Sequence, residues 1–374
     1  MSAPAAPAEA GTAVPKGAFH SLPVTAVDPL AEDAVALSLA VPAHLRPVFR
    51  YLPGQHMTVR VPGAAEEVRR TYSICTPALD PDGPRTLTVG VRRVPGGRFS
   101  GHALERLAVG DRLEVGPPTG RFVLPPRHGR FAAVVGGSGI TPVLSMAATL
   151  LAREPRARFT LVRSDRSVAA TMFLDEVADL KDRWPDRFQV VQTLSREEQH
   201  TGLPTGRLDA ARLTSLLPAL LPVAEVDDWF LCGPHGLVRT AREALGRLGV
   251  PAARVHREIF HPEAPDAAAS ARADAPPRAA TSREAELVAT LGGRSGRWPV
   301  RPGDTLLEAL LRHRGDAPYA CKGGVCGTCR ARLVTGEVTM DHNYALEPDE
   351  VAAGYVLACQ ARPRTDTVEL DFDA

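Results

Sequence analysis

The sequence predicts a multi-domain protein in which a small antiparallel β-barrel precedes a doubly wound α/β sheet and a smaller C-terminal unit. Three observations point there. The chain has 374 residues, more than one ordinary core organises. Short alternating apolar runs give way after Gly129 to buried runs separated by helical stretches. An Ala/Pro-rich segment then cuts off a remainder that holds four of the six cysteines.

The barrel is expected over residues 19–128. Its apolar residues alternate in "AVALSL", "HMTVRV", "RTYSIC", "TLTVGV" and "RLEV", separated by Gly and Pro clusters, and only "SGHALERL" reads as helix. Residues 129–261 change rhythm. The buried runs "FAAVV", "FTLVR", "FQVVQTL", "WFLC" and "RVHREIF" alternate with helical stretches such as "TPVLSMAATLLA" and "GLVRTAREALGRLG", the pattern of parallel strands with crossover helices. Residues 262–282 contain nine Ala and four Pro and no large apolar side chain, so they read as a linker. Residues 283–374 are expected to carry a hairpin, a helix with Asp304 as its N-cap in "GDTLLEALL", a cysteine loop and the late strands "RARLVTGEVTM" and "VELDF". No internal repeat is evident.

Composition excludes several roles. With 44 Lys+Arg against 43 Asp+Glu, the chain has no global field to draw nucleic acid or an anionic membrane. Residues 1–18, beginning "MSAPAAPAEAGTAVPKG", have neither a basic leader nor an apolar stretch, and read as a disordered tail rather than a signal peptide. The leucine-rich "LTSLLPALLPV" is interrupted by Pro218 and Pro222 and is too short to span a bilayer. A cytoplasmic protein is expected, with its cysteines as ligands and not a disulfide framework.

Cys321, Cys326, Cys329 and Cys359 follow C-x4-C-x2-C-x29-C, the plant-type spacing for a 2Fe-2S cluster. Gly323, Gly324 and Gly327 let the loop curl tightly and turn backbone N–H groups toward the sulfides. Structural zinc is the alternative, although zinc sites usually present two C-x2-C knuckles and only one pair here has that spacing. Four thiolates place the expected potential near the plant-type value of roughly −400 mV. Such a centre moves single electrons.

A one-electron centre needs a donor. In "VVGGSGITPVLS", Gly136, Gly137 and Gly139 would let the backbone approach a pyrophosphate at a helix N-terminus, with Thr141 and Pro142 in the first turn. Pro142 stands where a third glycine of G-x-G-x-x-G would be, so a plain turn remains open. Upstream, "RRTYSIC" offers the Arg70 guanidinium for a phosphate, Thr71, the Tyr72 ring face and the Ser73 hydroxyl; an ordinary strand is the alternative. "GGRFSGHALERL" opens a helix with Gly97 and Ser100, a second phosphate cradle. Cys75 reads as strand packing.

Together "RTYS", "GGRFS", "GGSGITP", "FLCGP" and "CKGGVCGTC" resemble the ferredoxin-NADP reductase superfamily, in the branch with a C-terminal ferredoxin domain. The resemblance covers nearly everything from Phe19 onward. It implies FAD on the barrel at Arg70, Thr71, Tyr72, Ser73, Gly97 and Ser100, and a nicotinamide nucleotide at Gly137, Gly139, Thr141, Pro142, Cys232 and Gly233. Glu258 and Phe260 of "EIF" would lie near the flavin and nicotinamide, and the last domain would be an α+β β-grasp fold. "TLSREEQ" resembles the segment by which NADPH-using members hold the ribose phosphate through a serine and an arginine, here Ser195 and Arg196, with Arg163 and Arg166 adding charge. NADPH is therefore expected, with NADH the alternative. No residue is assigned as an acid or base; Cys232 and Glu258 flank an electron relay.

Within the branch, "PYACKGGVC", "GEVTMDHNYALEPDEVAAGYVLACQ" and "SREEQ" resemble the reductases of phenylacetyl-CoA epoxidases, whose partner is a di-iron oxygenase. Reductases of steroid-ring hydroxylases share much of "GEVTM" and "EVAAG". Nothing in the chain resembles an oxygenase site, so that chemistry is expected in a separate polypeptide. An iron–sulfur redox sensor is the reading from another class, and intact nucleotide and flavin motifs argue against it. A flexible linker of this length spans roughly 25 Å, enough for the cluster domain to pivot between flavin and oxygenase.

Overall fold

A computed structural model describes residues 19–60, 67–197, 206–261 and 285–374. The expected N-terminal tail and the linker at 262–282 lie outside the described residues.

The first domain is a six-stranded antiparallel sheet: β1 (His20–Ala31), β2 (Ala34–Ala40), β3 (His56–Arg60), β4 (Arg69–Ser73), β5 (Thr86–Arg92) and β6 (Arg112–Val115). Its order is β4-β3-β6-β1-β2-β5, and an Ile74–Val89 bridge joins the two outer strands to close the barrel. Closure removes the edges that an open sheet would expose. Leu22, Leu37, Met57, Ile74, Val89 and Leu113 fill the interior. β1 was not among the expected runs. Pro23 and Pro29 break its alternation; Pro23 sits at the end of the ladder with β6, and Pro29 borders an irregularity between Pro29 and Ala31 in the ladder with β2. Helix α1 (Arg98–Glu105) matches "SGHALERL" and starts at Gly97.

The second domain has five strands, β7 (Arg130–Gly136), β8 (Arg158–Asp165), β9 (Phe188–Leu194), β10 (Asp228–Pro234) and β11 (Val255–His261), in the order β11-β10-β7-β8-β9. All four ladders are parallel. Helices α2 (Ile140–Arg153), α3 (Leu174–Arg183), α4 (Ala210–Leu220) and α5 (His235–Arg247) make the crossovers. α4 continues through Pro218, which falls in its last turn. Asp209 caps its start by accepting from Arg212 N at 2.8 Å.

The third domain pairs β12 (Ala285–Leu291) antiparallel with β13 (Arg294–Val300) and parallel with β18 (Thr367–Asp371). β14 (Arg330–Thr335) lies between β18 and β16 (Tyr355–Leu357), while β15 (Val338–Met340) and β17 (Ala361–Pro363) form a separate ribbon. Helix α6 (Leu306–Leu311) buries Leu306, Leu307 and Leu310 in the same core as Leu287, Leu357 and Leu370. One helix packed on a mixed sheet is the expected α+β arrangement. The cap is corrected, however. Thr305, not Asp304, is the N-cap, in a capping box with Glu308. Asp304 instead accepts from Arg301 N and binds Arg312. A short helix α7 (Pro348–Ala352) follows the cluster loop.

Candidate functional site

In the second sheet, the chain leaves β7 toward β8 and β9 and then returns to the other side of β7 as β10. That reversal opens a crevice beyond the carboxyl ends of β7 and β10, where ligands of such sheets bind. Gly137 and Gly139 form the turn that follows β7, and Cys232 and Gly233 lie in the last residues of β10. A Cβ on Gly139 would press on the carbonyl of Cys232 and lie 2.8 Å from Gly233 N. Gly137 has φ +54 and Gly233 φ +135, both in the region that favours glycine. The two turns are thus packed backbone to backbone. Thr141 Oγ1 donates to Ser138 O at 2.9 Å, and Pro142 is buried in the first turn of α2.

The barrel meets this crevice through β5. A Cβ on Gly90 would stand 3.0 Å from Thr141 Cγ2. Two residues on, the Arg92 guanidinium lies 2.7 Å from the place a Gly137 Cβ would take. Arg92 Nε also donates to Asp33 at 3.0 Å, and Asp33 binds Arg166 at 2.6 Å. Nothing in the local sequence marked Arg92 or Asp33, because they are 59 positions apart and their further partners, Ala170 O and Arg166, lie in the second domain.

The flavin-motif residues gather on β4 and at the start of α1. The Tyr72 ring packs on Phe99 of α1 with centroids 5.2 Å apart, so β4 and the Gly97–Ser100 turn are held together. Burial pushes the Tyr72 phenol well above its ordinary range, keeping it neutral. Arg70 is exposed and donates to Arg69 O at 2.8 Å; Thr71 is half-buried and Ser73 buried. The Ser100 hydroxyl accepts from Val94 N at 3.1 Å and so closes its own turn. Gly97 gives α1 no side-chain cap, which leaves first-turn N–H groups for a phosphate. An exposed guanidinium, an aromatic face and an uncapped helix start fit a flavin nucleotide. Phe260 is half-buried against the core of the second domain.

Glu258 pairs with Cys232 in the β10–β11 ladder. Its Oε1 stands 3.7 Å from His56 Nδ1 of the barrel, and its Oε2 is buried without a hydrogen-bond partner among the described residues. Burial, with the Glu258 charge second, raises the Cys232 thiol well above its usual range. His56 and Glu258 open into a cleft of about 960 Å³ between the three domains, lined also by Thr58, Arg69, Tyr319, Cys326 and Thr328. Among the expected site residues only Glu258 and Cys326 line this cleft. The Arg70–Ser73 and Gly97–Ser100 groups do not.

The three loop cysteines and Cys359, which follows β16, form two interacting pairs. The hydrogen bond from Cys326 holds the Cys321 thiol down at about 5, and that from Cys329 lowers Cys359; the partner thiols rise. The pairs sense each other, through Cys321 with Cys359 and Cys326 with Cys329. Among the described residues no three His, Cys, Asp or Glu side chains are grouped to hold a metal ion. Two adjoining thiol pairs suit two bridged irons better than one tetrahedral ion. Lys322, Gly324 and Gly327 have positive φ, giving the loop its curl. Gly323 N donates to Cys321 Sγ at 3.3 Å and Gln360 Nε2 reaches Cys359 Sγ at 3.7 Å. Cys75 is buried in the core with its thiol raised by desolvation, in line with packing.

At the far end of the crevice, Ser195 N bonds Asp165 O and Arg196 N bonds Arg166 O, both at 2.9 Å. Arg196 is exposed beside them. Arg163 is a correction. Its side chain is 1 % exposed and bound to Asp165 at 2.8 Å and Met172 O at 2.9 Å, so it adds no charge to the nucleotide surface.

Three family models match the chain: an oxidoreductase FAD-binding domain over residues 21–124, an oxidoreductase NAD-binding domain over 134–243 and a 2Fe-2S iron-sulfur cluster binding domain over 290–364. One component of the 1,2-phenylacetyl-CoA epoxidase of Escherichia coli (strain K12) is 41% identical over 95% of this chain and 98% of its own. The ferredoxin reductase component of the 3-ketosteroid-9-alpha-monooxygenase of Rhodococcus rhodochrous is 34% identical over 94% and 96%. Phthalate dioxygenase reductase is a similar solved structure, with a TM-score of 0.58 and 27% identity over 95% of this chain and 98% of that one. The chain therefore belongs to the ferredoxin-NADP reductase-type family of flavin iron–sulfur oxidoreductases that includes reductase components of multicomponent oxygenases.

Proposed function

We propose that this chain passes electrons from NADPH to the di-iron oxygenase that epoxidises phenylacetyl-CoA. The observation that carries the reading is the 41% identity to an epoxidase component over 98% of that component's length, against 34% for the steroid monooxygenase reductase. The working units are residues 19–128 for FAD, 129–261 for the nucleotide and 283–374 for the cluster.

Bound FAD would supply the exchange between a two-electron hydride donor and a one-electron iron–sulfur acceptor. The chain's own residues bind and orient. Arg70 and the first turn of α1 at Gly97 neutralise the flavin phosphates, Tyr72 covers the ring, and Thr71, Ser73 and Ser100 shape the pocket. The turns at Gly137, Gly139 and Gly233, with Thr141 and Pro142, cradle the nucleotide pyrophosphate. Cys232, neutral by burial, and Glu258 border the nicotinamide, and Phe260 packs beside it. Cys321 and Cys326 would hold one iron, Cys329 and Cys359 the other.

The preference for NADPH rests on Ser195 and the exposed Arg196 at the carboxyl end of β9, next to Arg166. Among the described residues no helix is long and apolar enough to cross a membrane. The cytoplasmic location remains part of the proposal.

The test is reconstitution with each oxygenase. With NADPH, the chain should support epoxidation of phenylacetyl-CoA by the epoxidase's oxygenase component and not hydroxylation by a 3-ketosteroid oxygenase. Productive coupling to the steroid oxygenase alone would select the other reading. Reduction of cytochrome c by NADPH separates either from a redox sensor.

A further inference from the structure

Arg69 is 3 % exposed although it belongs to β4, the strand that also carries Arg70, Tyr72 and Ser73. Strand alternation sends its side chain to the face opposite Arg70. There its guanidinium carbon lies 4.2 Å from the ring centre of Tyr319 and 4.9 Å from that of Phe19. The same guanidinium donates to Ala317 O at 3.4 Å and Gly315 O at 3.3 Å and pairs with Glu67, whose carbonyl accepts from the Tyr319 hydroxyl at 3.4 Å. Ala317 and Tyr319 lie four and two residues before cysteine ligand Cys321. A charged side chain is seldom buried without such an array of partners.

The rest of the junction is polar at its rim. Arg257 binds Glu347 at 2.7 Å, and Arg121 donates to Glu350 at 3.0 Å. Val325, inside the cysteine loop, packs on the core of the nucleotide domain. The pose is thus held by side chains on folded domains.

We propose that Arg69 is a positioning residue for internal electron transfer: it clamps the segment 315–319 and so seats the cluster loop on the flavin strand. The proposal rests on the reading that β4 holds the flavin. The step itself is the passage of one electron from reduced flavin to the oxidised cluster, with no bond made or broken; Arg69 acts only on the separation and orientation of the two. A planar guanidinium meets two rings and two carbonyls at once, which a lysine ammonium does not reproduce.

The test compares Arg69→Ala, Arg69→Lys, Tyr319→Leu and Tyr319→Phe in the full chain. Under anaerobic stopped flow with NADPH, Arg69→Ala and Tyr319→Leu should each slow flavin-to-cluster transfer by roughly tenfold or more, with flavin content, hydride transfer and the cluster spectrum unchanged. Tyr319→Phe should retain the wild-type rate and Arg69→Lys recover only part of it. Hydrogen exchange at the amides of 315–330 should quicken in the two disruptive variants, a readout that needs no turnover. Unchanged exchange would overturn the clamp wherever the flavin sits. Quickened exchange with undiminished transfer would overturn the positioning role and count against β4 as the flavin strand. Loss of hydride transfer in step with cluster reduction would make Arg69 a residue of barrel folding and overturn the proposal as well.

Discussion

Replacing Gly139 by alanine adds one methyl group at the point where the two nucleotide turns touch. Gly139 has φ −61 and ψ −10, a backbone that alanine adopts freely, so the cost is steric. The new Cβ would press on the Cys232 carbonyl and stand 2.8 Å from Gly233 N. Those atoms belong to β10, which is paired to β7 on one side and β11 on the other. The strand cannot retreat without stretching a ladder. Overpacking costs about 1–3 kcal/mol, and a backbone obstacle places this case near 3 kcal/mol. At about 2–4 °C per kcal/mol for domains of this size, the transition should fall by roughly 6–12 °C. Gly246→Ala in α5 is the control: among the described residues the same methyl meets nothing within 4 Å. It should stabilise by about 0.5–1 kcal/mol through helix propensity. Scanning calorimetry of the two variants against the parent decides the matter. A Gly139→Ala transition at or above the parent's would refute the backbone-to-backbone packing of the turns.

Three further outcomes follow from other parts of the molecule. Cys329→Ser should remove the visible iron–sulfur absorption and stop cytochrome c reduction while flavin reduction by NADPH continues; equal loss of both would refute the division of labour between domains. Arg196→Ala should weaken NADPH binding by roughly 1.5–3 kcal/mol, the worth of a charge-assisted hydrogen bond, and leave NADH almost untouched, as read by titration with each nucleotide. Asp165→Ala should cost about 3–5 kcal/mol in denaturant unfolding, because it strands the buried Arg163 charge, whereas Arg163→Met together with Asp165→Leu should be close to neutral.

What the sequence made readable was local. The first three cysteines, the glycine turns and the strand rhythms each lie within short stretches, and they pointed to the barrel, the parallel sheet and the cluster loop. Contacts between domains left no such trace. Arg69 finds Tyr319 some 250 positions away, and His56 meets Glu258 across the barrel boundary. Arg163 shows the opposite failure: near Arg166 in sequence, it points into the core because strand alternation sets its face. Thr305 displaced Asp304 as cap because only Thr305 has a glutamate three residues on to complete the reciprocal pair. β1 was hidden by its prolines, whose missing N–H groups are tolerated at a ladder end for Pro23 and beside a ladder irregularity for Pro29.

The central claim, that one chain converts hydride from a nicotinamide into single electrons on a 2Fe-2S cluster, is tested most directly by anaerobic titration with NADPH. Flavin absorbance and the paramagnetic signal of the reduced cluster would be followed together. The expected result is reduction of both centres, with the cluster signal growing toward one spin per chain and absent from Cys329→Ser. A flavin that is fully reduced while the wild-type cluster stays oxidised, or a cluster reduced equally in protein stripped of flavin, would contradict it.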